Sequence, residues 1–164
     1  MNIHKIKSFA KINLALHVTG KLSKLHKIES IVKFIKLHDL IKVKEINSEN
    51  HKISFSGNFS KNISINNTVN KLFNILDDQK LLNKKFQIKI KKNIPQESGL
   101  GGGSMNAANI LNFLLKKKFV KLNQKKILKI SSLIGSDVIL GMNSNDTILS
   151  SKNMIKNFSK NLKF

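Results

Sequence analysis

Between residues 99 and 104 the chain reads Gly99-Leu100-Gly101-Gly102-Gly103-Ser104, with a strand pattern before it and a helix pattern after it. Glycine removes the side chain and permits positive φ, so successive backbone N–H groups can curl around an anion. A helix that begins directly afterwards adds unpaired N–H groups and the positive end of its dipole. Ser104 supplies a hydroxyl that can cap the helix or reach a phosphate or a metal ion. Four glycines in five positions exceed what a simple turn needs, and the expected chemistry is phosphate binding. No Gly-Lys-Ser/Thr follows, so the run is not a Walker A loop, and it lacks the spacing of a dinucleotide fingerprint.

The titratable residues are less telling by type alone. Asp137, one of nine acidic residues, follows Gly135 in an otherwise apolar stretch. Its spacing suits a turn or capping residue as well as a reactive carboxylate. Lys11 is one of 30 basic residues, all of them lysine, and taken alone reads as a solvated charge. It precedes a strand pattern, which could aim it. His4, His38 and His51 are expected at the surface. No His/Asp/Glu cluster has metal-ligand spacing and there is no cysteine, so no metal site built by the protein is expected.

These residues need elements to hold them. Ile12, Leu14, Leu16 and Val18 alternate with polar or small neighbours, the period of a half-buried strand. Ile31–Leu37 and Leu40–Ile46 read as two further strands with a turn at His38-Asp39. Ile53 and Phe55 alternate up to Gly57. Val69, Leu72, Phe73 and Leu76 fall on one helical face, with Asn67 or Thr68 as the cap. Phe86, Ile88 and Ile90 form the clearest strand, closed by Ile94-Pro95 because proline has no ladder donor. A helix carrying Ala107, Ile110, Leu111, Leu114 and Leu115 follows the glycines. Another, opened by Asn123 and stopped by Gly135, carries Ile127, Ile130, Leu133 and Ile134. Asp137–Leu140 and Thr147–Leu149 read as short strands, and 150–164 has weak periodicity. The order implies an α+β fold with helices on one face of a mainly antiparallel sheet.

At 164 residues and 40% hydrophobic the chain suits one folded domain. The formal net charge of +21 suggests a polyanion partner. The lysines, however, are spread along the whole chain, and there is no Arg, Trp or Tyr to fork onto phosphates or stack on bases. No nucleic-acid partner is therefore expected, and a basic nucleic-acid-binding module stands as the rival reading. No apolar run approaches a membrane span and no secretory signal is visible, so a cytoplasmic location is expected.

Three segments together bring a family into view. Ile94-Pro95 with Gly99–Ser104 and Asn106-Ala107-Ala108 resembles the central motif of the GHMP kinases. Ala10-Lys11-Ile12-Asn13-Leu14, leading to His17-Val18-Thr19-Gly20, resembles the first motif of one branch, which acts on a cytidine-diphosphate-linked methylerythritol in non-mevalonate isoprenoid synthesis. Gly135-Ser136-Asp137-Val138 resembles that branch's segment with the catalytic aspartate. The resemblance implies the family's two-layer N-terminal domain, a fold related to ribosomal proteins, over residues 1–150. It implies ATP-dependent phosphorylation of the substrate's 2-hydroxyl group, with ATP and Mg²⁺ required. Asp137 would be the general base and Lys11 its partner. Pro95, Gly99, Leu100, Gly101, Gly102, Gly103 and Ser104 would cradle the triphosphate, while Asn67 and Lys92 would contact the adenosine. Asn13, His26 and Asn106 would meet the small-molecule substrate. Another GHMP kinase acting on a different alcohol is the nearest alternative.

Departures from the family pattern are specific. Phe9 stands for a proline, Leu25 for the tyrosine before His26, and Met105 for the second serine of the glycine motif. Residues 151–164 are expected to be the start of a further domain or a disordered tail. A shortened form that binds nucleotide but turns over weakly or not at all is the expectation.

Overall fold

The computed structural model describes residues 2–21, 26–143, 145–149 and 155–157. Six strands and four helices follow in the order β1 His4–Lys21, β2 His26–Ile46, β3 Lys52–Ser56, α1 Thr68–Asp78, β4 Lys85–Lys91, α2 Gly102–Lys116, α3 Gln124–Ile134, α4 Val138–Met142, β5 Thr147–Leu149 and β6 Ile155–Asn157. β2 is the spine of the sheet. β1 lies antiparallel along it, β4 pairs with its second half and β5 with its first. β3 and β6 add outside β4 and β5. Among the described residues only the β3–β4 pair is parallel, and α1 lies within the connection that a parallel pair requires.

The alternating residues of β4, Phe86, Ile88 and Ile90, point with Ile41 and Val43 of β2 into one core. Val69, Leu72, Phe73 and Leu76 of α1 and Ala107, Ile110, Leu111 and Leu114 of α2 meet them from the helical layer. Burying such side chains is worth about 1.5–3 kcal/mol each, and this is what pins the glycine loop between β4 and α2. The chain is an α+β two-layer fold, as its sequence pattern implies.

Four local expectations change. His38-Asp39 is no turn: β2 runs unbroken through it, because Asp39 finds its partners in another segment. Asp137–Leu140 is not a strand. Val138 donates to Gly135 O and Leu140 to Asp137 O, which starts α4, and a four-residue apolar run carries no period to tell the two apart. The apolar residues of β1's distal half are not half-buried: Leu14, Leu16 and Val18 are 41%, 55% and 52% exposed, in a stretch interrupted by bulges. His51 is not at the surface. Its ring lies 4.3 Å from Phe73 and stacks at 6.1 Å on Phe86. The 151–164 expectation falls largely outside the described residues, which include only β6 there.

Candidate functional site

β1 delivers the first candidate side chain. A bulge between Phe9 and Lys11 breaks its ladder with β2, and there the Lys11 N–H donates instead to Leu100 O at 3.0 Å. The glycine loop is thus stitched to the strand at Lys11. Lys11 is 7% exposed, and its ammonium donates to Asn13 Oδ1 at 2.7 Å and stands 3.1 Å from Asp137 Oδ2. Asp137 comes from the turn that ends α3 and opens α4, more than a hundred residues away in sequence. Its carboxylate makes no capping bond to that helix and is one-third exposed. It therefore faces the cleft with an oxygen edge that a ligand can reach.

The loop itself takes the conformation that glycine allows. Glu97, Gly99 and Gly101 all have φ between 55° and 73°. Gly101 is the N-cap of α2 in the left-handed region and supplies no capping side chain. Polar side chains therefore leave the first amides of α2 for a ligand, at the positive end of a 15-residue helix. A Cβ on Gly101 would come within 2.9 Å of Lys11 Cγ, and one on Gly102 within 3.0 Å of Ile94 Cγ2. Lysine stem and loop backbone lie in direct contact. Opposite them, Thr68 at the head of α1 donates to Gly103 O at 2.7 Å.

Between the two helix heads lies a cleft of about 560 Å³, lined by Lys11, Asn67, Pro95, Ser104, Asn106 and Asp137. Gly99, Gly101, Gly102 and Gly103 line it as well, while Leu100 contributes its carbonyl to Lys11. Asn67 is the N-cap of α1, its Oδ1 accepting from the Val69 and Asn70 amides at 3.0 Å each. Lys92 lies at the floor, 4% exposed, with its ammonium ion-paired to Asp39. Asn106 is buried and donates to Asp39 Oδ2 at 2.8 Å. Asn13 is exposed beside Lys11. His26 opens β2 opposite Lys21, but its side chain lies outside the described residues, as does Leu25.

Asp39 is the residue that sequence reasoning missed. The signal was its rarity: a carboxylate between two β-rich runs, in a chain with nine acids. Among the described residues no three His, Cys, Asp or Glu side chains gather to hold a metal ion. The Ser104 hydroxyl stands beside the turn that carries Asp137, 3.6 Å from where a Cβ on Gly135 would be. Together with Asp137 it offers hard oxygen donors that suit Mg²⁺ carried on a nucleotide rather than a fully protein-built site. No described helix is long and apolar enough to cross a membrane.

Comparison with known proteins bears on the family and the fold. The family model described as GHMP kinases N terminal domain matches residues 67–151. Over its full length the chain is 59% identical to 4-diphosphocytidyl-2-C-methyl-D-erythritol kinase of Pelagibacter ubique (strain HTCC1062), covering 59% of that protein. It is 34% identical over 139 residues to the protein of the same name from Clostridioides difficile (strain 630), covering 84% of this chain and 47% of that one. A solved 4-(cytidine 5'-diphospho)-2C-methyl-D-erythritol kinase superposes with a TM-score of 0.72 at 20% identity, covering 94% of this chain and 55% of the other. Mevalonate pyrophosphate decarboxylase from Streptococcus pyogenes superposes with a TM-score of 0.70 at 14% identity, covering 99% and 52%. At those identities the two structures speak to the fold alone. The chain spans about half the length of the curated relatives it matches.

Proposed function

We propose, because this chain belongs to the GHMP kinase family, that it binds ATP on the glycine loop and serves transfer of the γ-phosphoryl group to an alcohol. The alcohol is the 2-hydroxyl of 4-diphosphocytidyl-2-C-methyl-D-erythritol, the compound named by its 59% identical relative. The observation that carries this reading is the Lys11–Asp137 pair, 3.1 Å apart, beside the uncapped head of α2. A cation, a carboxylate and a nest of amides are the parts that phosphoryl transfer asks for.

In this reading the substrate oxygen attacks the γ-phosphorus, the bond to the β,γ-bridging oxygen breaks, and ADP leaves. The hydroxyl proton passes to Asp137. Lys11 holds that carboxylate in place and offsets charge on the phosphoryl oxygens, while Asn13 keeps the ammonium oriented through its 2.7 Å hydrogen bond. The amides of Gly102, Gly103 and Ser104 bind phosphate oxygens without reorganising, since the packed core holds α2. When bound with the nucleotide, Mg²⁺ would be met by the Ser104 hydroxyl and would neutralise phosphate charge.

Calorimetric titration of ATP into the chain, followed by ADP release with the diphosphocytidyl substrate, tests the reading. Saturable ATP binding that disappears in Gly102→Val with the fold retained is expected. An absence of ATP binding overturns it, and transfer to homoserine or mevalonate in place of the diphosphocytidyl alcohol moves the chain to another branch of the family.

A further inference from the structure

The donors around Asp39 bracket the glycine loop. Its Oδ1 accepts from the backbone amides of Asn93 at 2.7 Å and Ile94 at 2.9 Å, where the chain has just left β4. Its Oδ2 accepts from the Asn106 side chain at 2.8 Å, one turn into α2, and from the Lys92 ammonium. One fully buried carboxylate on β2 therefore holds both ends of the segment that contains every loop glycine. Gly102 rests on two residues whose groups bond to that carboxylate, for a Cβ there would stand 3.1 Å from Lys92 Nζ and 3.2 Å from Ile94 Cβ.

Asn106 shows how strongly this arrangement is specified. Only its Nδ2 can donate to a carboxylate, and that orientation leaves its Oδ1 buried with no donor among the described residues. Turning the amide over would set two acceptors against each other. An orphaned buried carbonyl is tolerated so that Asp39 receives its fourth donor. The need is geometric. A loop with three residues at positive φ has many competing shapes, and its amides bind phosphate only when they converge.

We propose that Asp39 is a positioning residue for polyphosphate binding. By clamping residues 92–94 and residue 106 it sets the amides at the head of α2 where the phosphates land. Naming ATP as the ligand rests on the function proposed above, whereas the clamp itself concerns any polyphosphate.

Titration of ATP and of inorganic tripolyphosphate, with far-UV circular dichroism to monitor the fold, tests the clamp. Asp39→Ala is expected to weaken both ligands by about tenfold or more. Asn106→Ala cuts only the α2 end and removes the orphaned carbonyl, so affinity should fall by roughly threefold or more with no loss of stability. Unchanged affinity in folded Asp39→Ala or in Asn106→Ala overturns the clamp. Tripolyphosphate binding that is lost in Asn106→Ala, in a chain that ignores ATP, upholds the clamp while removing the kinase reading. Binding of neither ligand by the wild-type chain overturns both.

Discussion

The Lys11 ammonium stands 3.1 Å from Asp137 Oδ2 and 2.7 Å from Asn13 Oδ1, joining the first strand of the chain to a turn more than 120 residues later. The stem of Lys11 passes along Gly101, so the pair and the glycine loop form one unit. In the proposed kinase Asp137→Asn leaves ATP affinity within about threefold, while transfer falls by roughly 10²–10⁴-fold. ADP release with the full set of substrates measures this, and an unchanged rate removes Asp137 from the mechanism.

Gly101 carries both conformational and steric demands. Its φ of 70° strains any L side chain by about 1–2 kcal/mol. A Cβ would also press on Lys11 Cγ at 2.9 Å. Gly101→Ala should lower the unfolding free energy by that amount and reduce transfer more than the stability loss accounts for, because Lys11 moves. Thermal unfolding and turnover on the same sample separate the two effects. Wild-type turnover in Gly101→Ala would show that the Lys11 stem has room.

His51 links stability to pH. Burial pushes its imidazole below the ordinary 6.5, an effect opposed by its Asp77 partner. Nδ1 accepts the Phe86 amide at 3.0 Å, so the neutral ring carries its proton on Nε2, which faces Asp77 at 3.3 Å. A group that binds its proton less readily when folded leaves stability unaffected above 6.5. As pH falls from there toward the lowered value, the unfolded chain takes up the proton first and stability drops. Denaturant unfolding at pH 7.5 and pH 5.5 should show this drop, and His51→Gln should reduce it. An equal pH dependence in the variant would assign the effect elsewhere.

Lysines face one another across the open side of the sheet. Lys5 is the register partner of Lys42, and Lys42 of Lys89, all three exposed. Directly opposed like charges destabilise a sheet by roughly 0.2–1 kcal/mol per pair. Salt screens them, with a Debye length of about 10 Å at 0.1 M. The melting temperature should therefore rise between low and moderate NaCl, and Lys42→Glu should raise it at low salt. A melting temperature that falls with added salt would contradict this account.

Much was legible in the sequence, because some residues carry their physics locally. Gly101 and its neighbours announce a tight loop at a helix head whatever surrounds them, since few other roles need so many missing side chains in a row. Phe86, Ile88 and Ile90 announce a buried strand by their period, and Asn67 announces a cap by its hydrogen-bonding reach. The run Val138–Leu140 was ambiguous, being too short to show a period. His51 was misread because its burial depends on two phenylalanines distant in sequence.

Tertiary structure alone decided the rest, since it depended on which strands lie side by side. Lysines scattered along the chain become a row only through the β1–β2–β4 register. Lys11 acquires its partner only when the turn that opens α4 reaches β1. Asp39, at a place that reads locally as a turn, becomes the anchor of the glycine loop. The donors that hold it in mid-strand come from residues 92–106, which no local pattern could bring there.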